Sequence, residues 1–134
     1  MLCAFFADPG AIMCEIFVKA DPALYESRAR SIRLHGAVTS IRLENLFWQV
    51  LEEVAARDSM STGQLITKLY DELIDCRGEV DNFTSFLRVS CLRYLSLMVD
   101  GAISSDMSMP LAGTRLPASS RSGRATGAAL VRSS

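Results

Sequence analysis

The sequence predicts a mainly α-helical fold in which one short β-strand precedes three helices and finds its partner strand in a second copy of the chain. Three observations carry this. Apolar stripes recur at helical spacing three times between residues 44 and 98. A single β-branched, alternating run, Val38-Thr39-Ser40-Ile41-Arg42-Leu43, stands immediately before the first stripe. A strand that short cannot satisfy its backbone donors and acceptors alone.

The strand's alternation assigns its faces. With Thr39, Ile41 and Leu43 turned to the core, Val38, Ser40 and Arg42 face away from it. Upstream, Ile32 and Leu34 look like buried positions of the opposite parity, and Gly36 is where a bulge or turn absorbs the extra residue. Pairing the 38–43 run with its equivalent across a two-fold axis makes an antiparallel ribbon, self-complementary as a closed dimer interface must be.

The first helix, about 44–57, follows from Leu46, Phe47, Val50, Leu51, Val54 and Ala55, which form one continuous stripe at 3.6 residues per turn. Trp48 flanks that stripe and suits a core or dimer interface better than stacking on a nucleic acid. The second helix, about 62–76, repeats the spacing with Leu65, Ile66, Leu69, Tyr70, Leu73 and Ile74. Ser61 with Gln64 three residues on makes a capping box at its start, and Gly78 ends it. A third helix, about 82–98, carries Phe83, Phe86, Leu87, Cys91, Tyr94, Leu95 and Met98 behind a cap at Asn82 or Thr84.

Outside these elements the pattern lapses. Residues 1–12 hold a Pro9-Gly10 turn and no periodicity, and they precede a second methionine, Met13. They read as an extension outside the fold or as the product of a start codon placed too early. Residues 101–134 are Ser, Gly, Ala, Arg and Pro with scattered aliphatics, the composition of a disordered tail. The folded domain is therefore expected over 13–100.

Composition narrows the function classes. A chain of 134 residues is one domain, too small for a large multidomain enzyme. Fourteen basic against 15 acidic residues give a net charge of −1, which excludes a grossly basic nucleic-acid coat. The sum hides an uneven spread: the 101–134 tail carries +3 and the 13–100 body −3. Lys19, Arg28, Arg30 and Arg33 add a local basic cluster ahead of the strand.

Cysteines 3, 14, 76 and 91 lack the close spacing of zinc or redox motifs, and the single His35 cannot complete a ligand set, so no metal and no cofactor is expected. No apolar run is long enough to span a membrane and MLCAFF lacks a basic leader region, which points to a cytoplasmic chain with reduced thiols. The sequon at Asn82-Phe83-Thr84 is then accidental. Catalysis finds no support: there is no second histidine for a relay, no phosphate-cradling glycine loop and no nucleophile elbow. No small-molecule ligand is identifiable.

The strand at 38–43, the helix ending near Val54-Ala55, the turn Arg57-Asp58-Ser59-Met60-Ser61 and the helix from Thr62 together resemble the ribbon-helix-helix family of the Arc and methionine repressors. More narrowly, Arg30-Ser31-Ile32-Arg33-Leu34-His35-Gly36, Thr39-Ser40-Ile41-Arg42-Leu43-Glu44, Phe47-Trp48 and Asn82-Phe83-Thr84-Ser85-Phe86-Leu87-Arg88 resemble a bacterial subfamily of largely uncharacterised ribbon-helix-helix proteins with an extra C-terminal helix.

The resemblance covers roughly residues 13–98. It implies a homodimer that binds double-stranded DNA as a transcriptional regulator, with the two-stranded ribbon in the major groove.

Carried over by position, the base-contacting residues become Val38, Ser40 and Arg42. A guanidinium can donate two bonds to guanine, and a serine can meet a base edge or a phosphate. Val38 departs from the family's usual polar or basic residue there, which thins the base readout. Ser61, Thr62 and Gly63 at a helix N-terminus, with Arg33, become the phosphate contacts. Thr39, Ile41, Leu43, Phe47, Trp48, Leu65 and Leu69 become the dimer core.

Plainer readings stand beside these. Arg42 can pair with a carboxylate such as Glu44, Ser61 is a helix cap in any case, and Arg33 and His35 can be ordinary solvated positions. The third helix is read as a cap on the core through Phe86, Leu87 and Leu95. The rival to a DNA-binding regulator is a protein-interaction module, an antitoxin or adaptor, built on the same dimer with the tail as its binding segment.

Overall fold

The computed structural model describes residues 14–116, so the expected extension over 1–12 and the tail beyond 116 lie outside the described residues. A single turn of π-helix at Cys14–Val18 and a 3-10 turn at Pro22–Tyr25 lead into strand β1, Ser27–Leu34. Strand β2, Ala37–Glu44, follows, and then helices α1 (Asn45–Arg57), α2 (Thr62–Arg77) and α3 (Phe83–Val99). The strand-helix-helix order and the extra helix match the sequence reading.

The number of strands does not. β2 finds a partner in its own chain, because β1 pairs with it antiparallel from Ser27↔Glu44 to Leu34↔Ala37. The turn between them has two residues, both with positive φ, His35 at 50° and Gly36 at 82°. Positive φ at both central positions is the signature of a type I′ turn, whose twist matches that of the strands it joins.

The opposite parity of Ile32/Leu34 and Ile41/Leu43 is what such a turn produces. A two-residue loop sets even-numbered residues of β1 opposite odd-numbered residues of β2, so all four aliphatic side chains reach one face. The anomaly in the sequence is a hairpin, not a bulge.

The other two inward positions of β1 are arginines, which is why the strand is hard to see in the sequence. The Arg30 guanidinium lies 4.9 Å over the Trp48 ring and reaches Glu52 at 3.4 Å. The Trp48 indole N–H donates to the Arg28 carbonyl oxygen at 2.9 Å. Trp48 is fully buried and ties the hairpin to α1, whereas Leu46, assigned to the α1 stripe from its spacing, is exposed. The true inward line of α1 runs through Trp48, Leu51 and Ala55, flanked by Phe47, Val50 and Val54.

α2 opens with the expected capping box: the Gln64 backbone N–H donates to Ser61 Oγ at 3.1 Å, and the Ser61 N–H donates to Gln64 Oε1 at 2.8 Å. It ends at Gly78, whose φ of 85° only glycine adopts freely. α3 buries Leu87, Cys91 and Tyr94 against the core. Its start is fixed twice, by Arg88 pairing with Glu44 at 2.9 Å and by an aromatic row from His35 through Tyr70 and Phe83 to Phe86. Arg88 holds the Glu44 carboxyl below the usual carboxylate range.

The segment after α3 corrects a second expectation. Residues 101–116 fall within the stretch expected to be a disordered tail, yet Ile103 and Leu111 pack on the core. The attachment is polar and comes from the C-terminal end of α1. Arg57, only 5% exposed, donates to the carbonyl oxygens of Met109 at 2.9 Å and Asp106 at 3.0 Å. It also reaches the Tyr94 hydroxyl oxygen at 3.2 Å, and that hydroxyl in turn donates to Glu53 at 2.5 Å. The next residue, Asp58, accepts from the backbone N–H groups of Leu111 and Ala112, both at 3.1 Å.

Hydrogen bonds to a charged donor contribute about 1.5–3 kcal/mol each when buried. Arg57→Ala is therefore expected to lower stability by roughly 2–3 kcal/mol, and to free the strap. Thermal unfolding and the rate of proteolysis within 101–116, compared with the wild type, read the two effects separately.

Candidate nucleic-acid interface

The hairpin presents one face to the helices and leaves the other open. On the open face stand Ser27, Ala29, Ser31 and Arg33 of β1 and Val38, Ser40 and Arg42 of β2, all exposed. Cross-strand pairing sets Ala29 beside Arg42, Ser31 beside Ser40 and Arg33 beside Val38. The centre is thus low in relief and hydroxyl-bearing, with a guanidinium near each end.

Each of those arginines makes a single hydrogen bond among the described residues. Arg42 donates to Ser27 Oγ at 3.2 Å and Arg33 to the Gly36 carbonyl oxygen at 3.1 Å. A guanidinium has five N–H donors, so most of each fork remains available. Arg42 does not pair with Glu44, which is held by Arg88.

All three residues assigned to base contact therefore share the open face, Val38 at 62% exposure included. Ser31 and Ala29 join them there, and sequence reasoning misses both because it does not find their strand.

The residues assigned to phosphate contact divide. Arg33 and Gly63 line one cleft of about 780 Å3 between the hairpin tip and the first turns of α2, together with His35, Thr67, Lys68 and Asp71. Thr67 Oγ1 donates to the Arg33 carbonyl oxygen at 3.0 Å, which fastens the edge of β1 to α2. His35 Nε2 lies 3.2 Å from Asp71 Oδ1, and Lys68 is 2.8 Å from Glu72. Ser61 spends its hydroxyl on the cap, and Thr62 is buried, so an anion at this helix start would meet backbone amides and not the threonine side chain. Ser40 and Arg42 do not line this cleft.

The residues assigned to a dimer core are mostly covered by the chain itself. Ile41, Leu43, Trp48 and Leu65 are buried in the single chain, Phe47 and Leu69 pack partly against them, and Thr39 is exposed beside the turn. Their burial needs no second copy. The upstream basic cluster is likewise dispersed: Arg30 is engaged on the inward side, Lys19 pairs with Glu15, and Arg33 alone of the four reaches the open face together with Arg42.

What a second copy could use is the outer edge of β2. The Asn45 N–H donates to the Glu26 carbonyl oxygen at 2.8 Å, which extends the ladder and shows that even-numbered β1 residues and odd-numbered β2 residues exchange the hairpin's hydrogen bonds. The backbone groups of Val38, Ser40 and Arg42 therefore point away from β1, along an edge with no strand beside it among the described residues.

Among the described residues no group of three or more His, Cys, Asp or Glu side chains could hold a metal ion, and no helix is long and apolar enough to cross a membrane.

Comparison with known proteins agrees with this architecture. A solved structure, that of an uncharacterised protein from Bordetella pertussis Tohama I, is 55% identical in sequence and superposes with a TM-score of 0.72, covering 80% of this chain and 91% of that one. No curated protein matches the chain. The family described as ribbon-helix-helix domain matches residues 27–95, from the first residue of β1 into α3, and the chain belongs to it.

Proposed function

We propose that the protein is a homodimeric, sequence-specific DNA-binding transcriptional regulator of the bacterial cytoplasm. The observation that carries this reading is the open sheet face, where Arg42, Ser40 and Arg33 stand unburied on a flat surface of small side chains. A β-ribbon fits the major groove, and arginine is the side chain best shaped to read guanine there. Membership of the family supports the same assignment.

In the dimer the free edges of the two β2 strands pair about a two-fold axis, placing both copies of Val38, Ser40 and Arg42 at the centre of a continuous sheet. Arg33 and the Gly63 amide, which share a cleft beside that sheet, are the phosphate contacts. The rival reading uses the tail as a partner-binding segment. It is disfavoured because residues 101–116 are folded onto their own core through Arg57 and Asp58.

Binding-site selection from random duplexes at physiological salt tests the reading. The wild type is expected to enrich a two-fold symmetric motif, and Arg42→Ala to weaken binding to it by about 1–3 kcal/mol while relaxing preference at one base pair per half-site. Failure of the wild type to enrich any sequence would remove the claim of specific DNA recognition.

A further inference from the structure

The strap formed by residues 101–116 does more than cover the core. Between it and the three helices lies an opening of about 280 Å3, just under the size at which small-molecule sites begin. Its walls are mainly aliphatic, with Leu51 and Val54 from α1, Leu69 from α2, Leu97 from α3, and Ile103 and Leu111 from the strap, and the hydroxyl-bearing Ser90 and Thr114 among them. The Cys91 thiol also lines it, and burial pushes that thiol up to about 11, so it stands there neutral. Tyr94 turns its hydroxyl to Arg57 and Glu53 and so adds only its ring.

One of the lining residues is charged. Arg93 is half-buried, lines the opening, and has neither an ion pair nor a hydrogen bond among the described residues. A cation that lines an apolar chamber and makes no ion pair among the described residues, with Asp100 beside it only in a separate, neighbouring opening, is complementary to an anion attached to an apolar body. The strap that closes one side is held at two points by polar bonds, Arg57 donating to the Asp106 and Met109 carbonyl oxygens and Asp58 accepting from the Leu111 and Ala112 N–H groups, so the chamber is preformed.

We propose that this chamber is a binding site for a small amphiphilic carboxylate, its aliphatic or aromatic body held between Leu51, Leu69, Leu97 and Ile103 and its carboxylate at Arg93. The assignment is independent of DNA binding and is tested without DNA. Octanoate and 1-octanol share a chain length and differ in the charged group, so titrating each into the full-length protein by calorimetry separates the two halves of the site.

Octanoate is expected to bind saturably, one per chain, and about tenfold tighter than the alcohol. Arg93→Ala, which alters a half-exposed side chain, should bring octanoate down to the level of 1-octanol and leave the alcohol unchanged. Leu97→Trp, which fills the chamber, should abolish both. The proposal is overturned if octanoate does not saturate at millimolar concentration, or if Arg93→Ala leaves the preference for the carboxylate intact. It is also overturned if octanoate affinity falls as protein concentration rises, since a second copy of the chain would then own the opening.

Discussion

Ser40→Pro is expected to yield a folded chain that no longer dimerises and binds its DNA site at least about a thousandfold more weakly, the gap between specific and non-specific binding. The reasoning rests on which way one amide points. Ser40 lies opposite Ser31, a pair that does not exchange the hairpin's hydrogen bonds, so its N–H faces the open edge of β2. Proline removes that donor and places a ring in the path of an approaching strand, a device natural sheets use to protect their edges. The intrachain ladder loses nothing, and the core side chains Ile41 and Leu43 keep their places. Sedimentation gives the mass and circular dichroism the fold; a variant that remains dimeric with unchanged helicity would show that the copies do not meet along β2.

Trp48→Ala is expected to cost about 3–5 kcal/mol, the range for removing a large aromatic side chain from a packed core. Natural domains have about 5–15 kcal/mol in total, so the variant should retain little stability at physiological temperature. Three losses coincide at this residue. Its ring is fully buried, its indole N–H satisfies the Arg28 carbonyl oxygen at 2.9 Å, and its face supports the Arg30 guanidinium at 4.9 Å. Urea denaturation measures the cost directly. Trp48→Phe keeps most of the volume and loses the hydrogen bond, so it should fall between the alanine variant and the wild type.

Both expectations turn on β1, the element least visible in the sequence. Helices announce themselves through a stripe of six or more apolar residues, and β2 through β-branched residues in alternation. Of the β1 positions on the helix-facing side only Ile32 and Leu34 are apolar; the other two are Arg28, which is exposed, and Arg30, which is half-buried over Trp48. A long arginine stem can lie along an apolar surface with its charge at the rim, so the position reads as polar in sequence while packing as if it were apolar. Polar attachment hides the strap as well. Its two apolar contacts, Ile103 and Leu111, are too few and too far apart to show a period, and what holds it is a set of backbone carbonyl and amide groups of the kind every segment possesses.

The candidate site is legible in part for the same reason. Alternation along one strand suffices to place Val38, Ser40 and Arg42 together, since neighbours at i and i+2 share a face by construction. That Ser31 and Ala29 complete the surface, and that Arg33 joins Gly63 in one cleft, depends on a register between segments which no local pattern encodes.

By itself, then, the sequence determined the helices, the capping box at Ser61, the outward face of β2 and the family resemblance, all of which arise from short-range periodicity and local hydrogen bonding. Tertiary structure alone decided that β2 pairs within its own chain, that Ile41, Leu43 and Trp48 are buried without a second copy, and that residues 101–116 close over a chamber beside Arg93. These are pairings between residues far apart in the chain. Their free energy resides in burial and in charges sheltered from water, quantities that no window of consecutive residues contains.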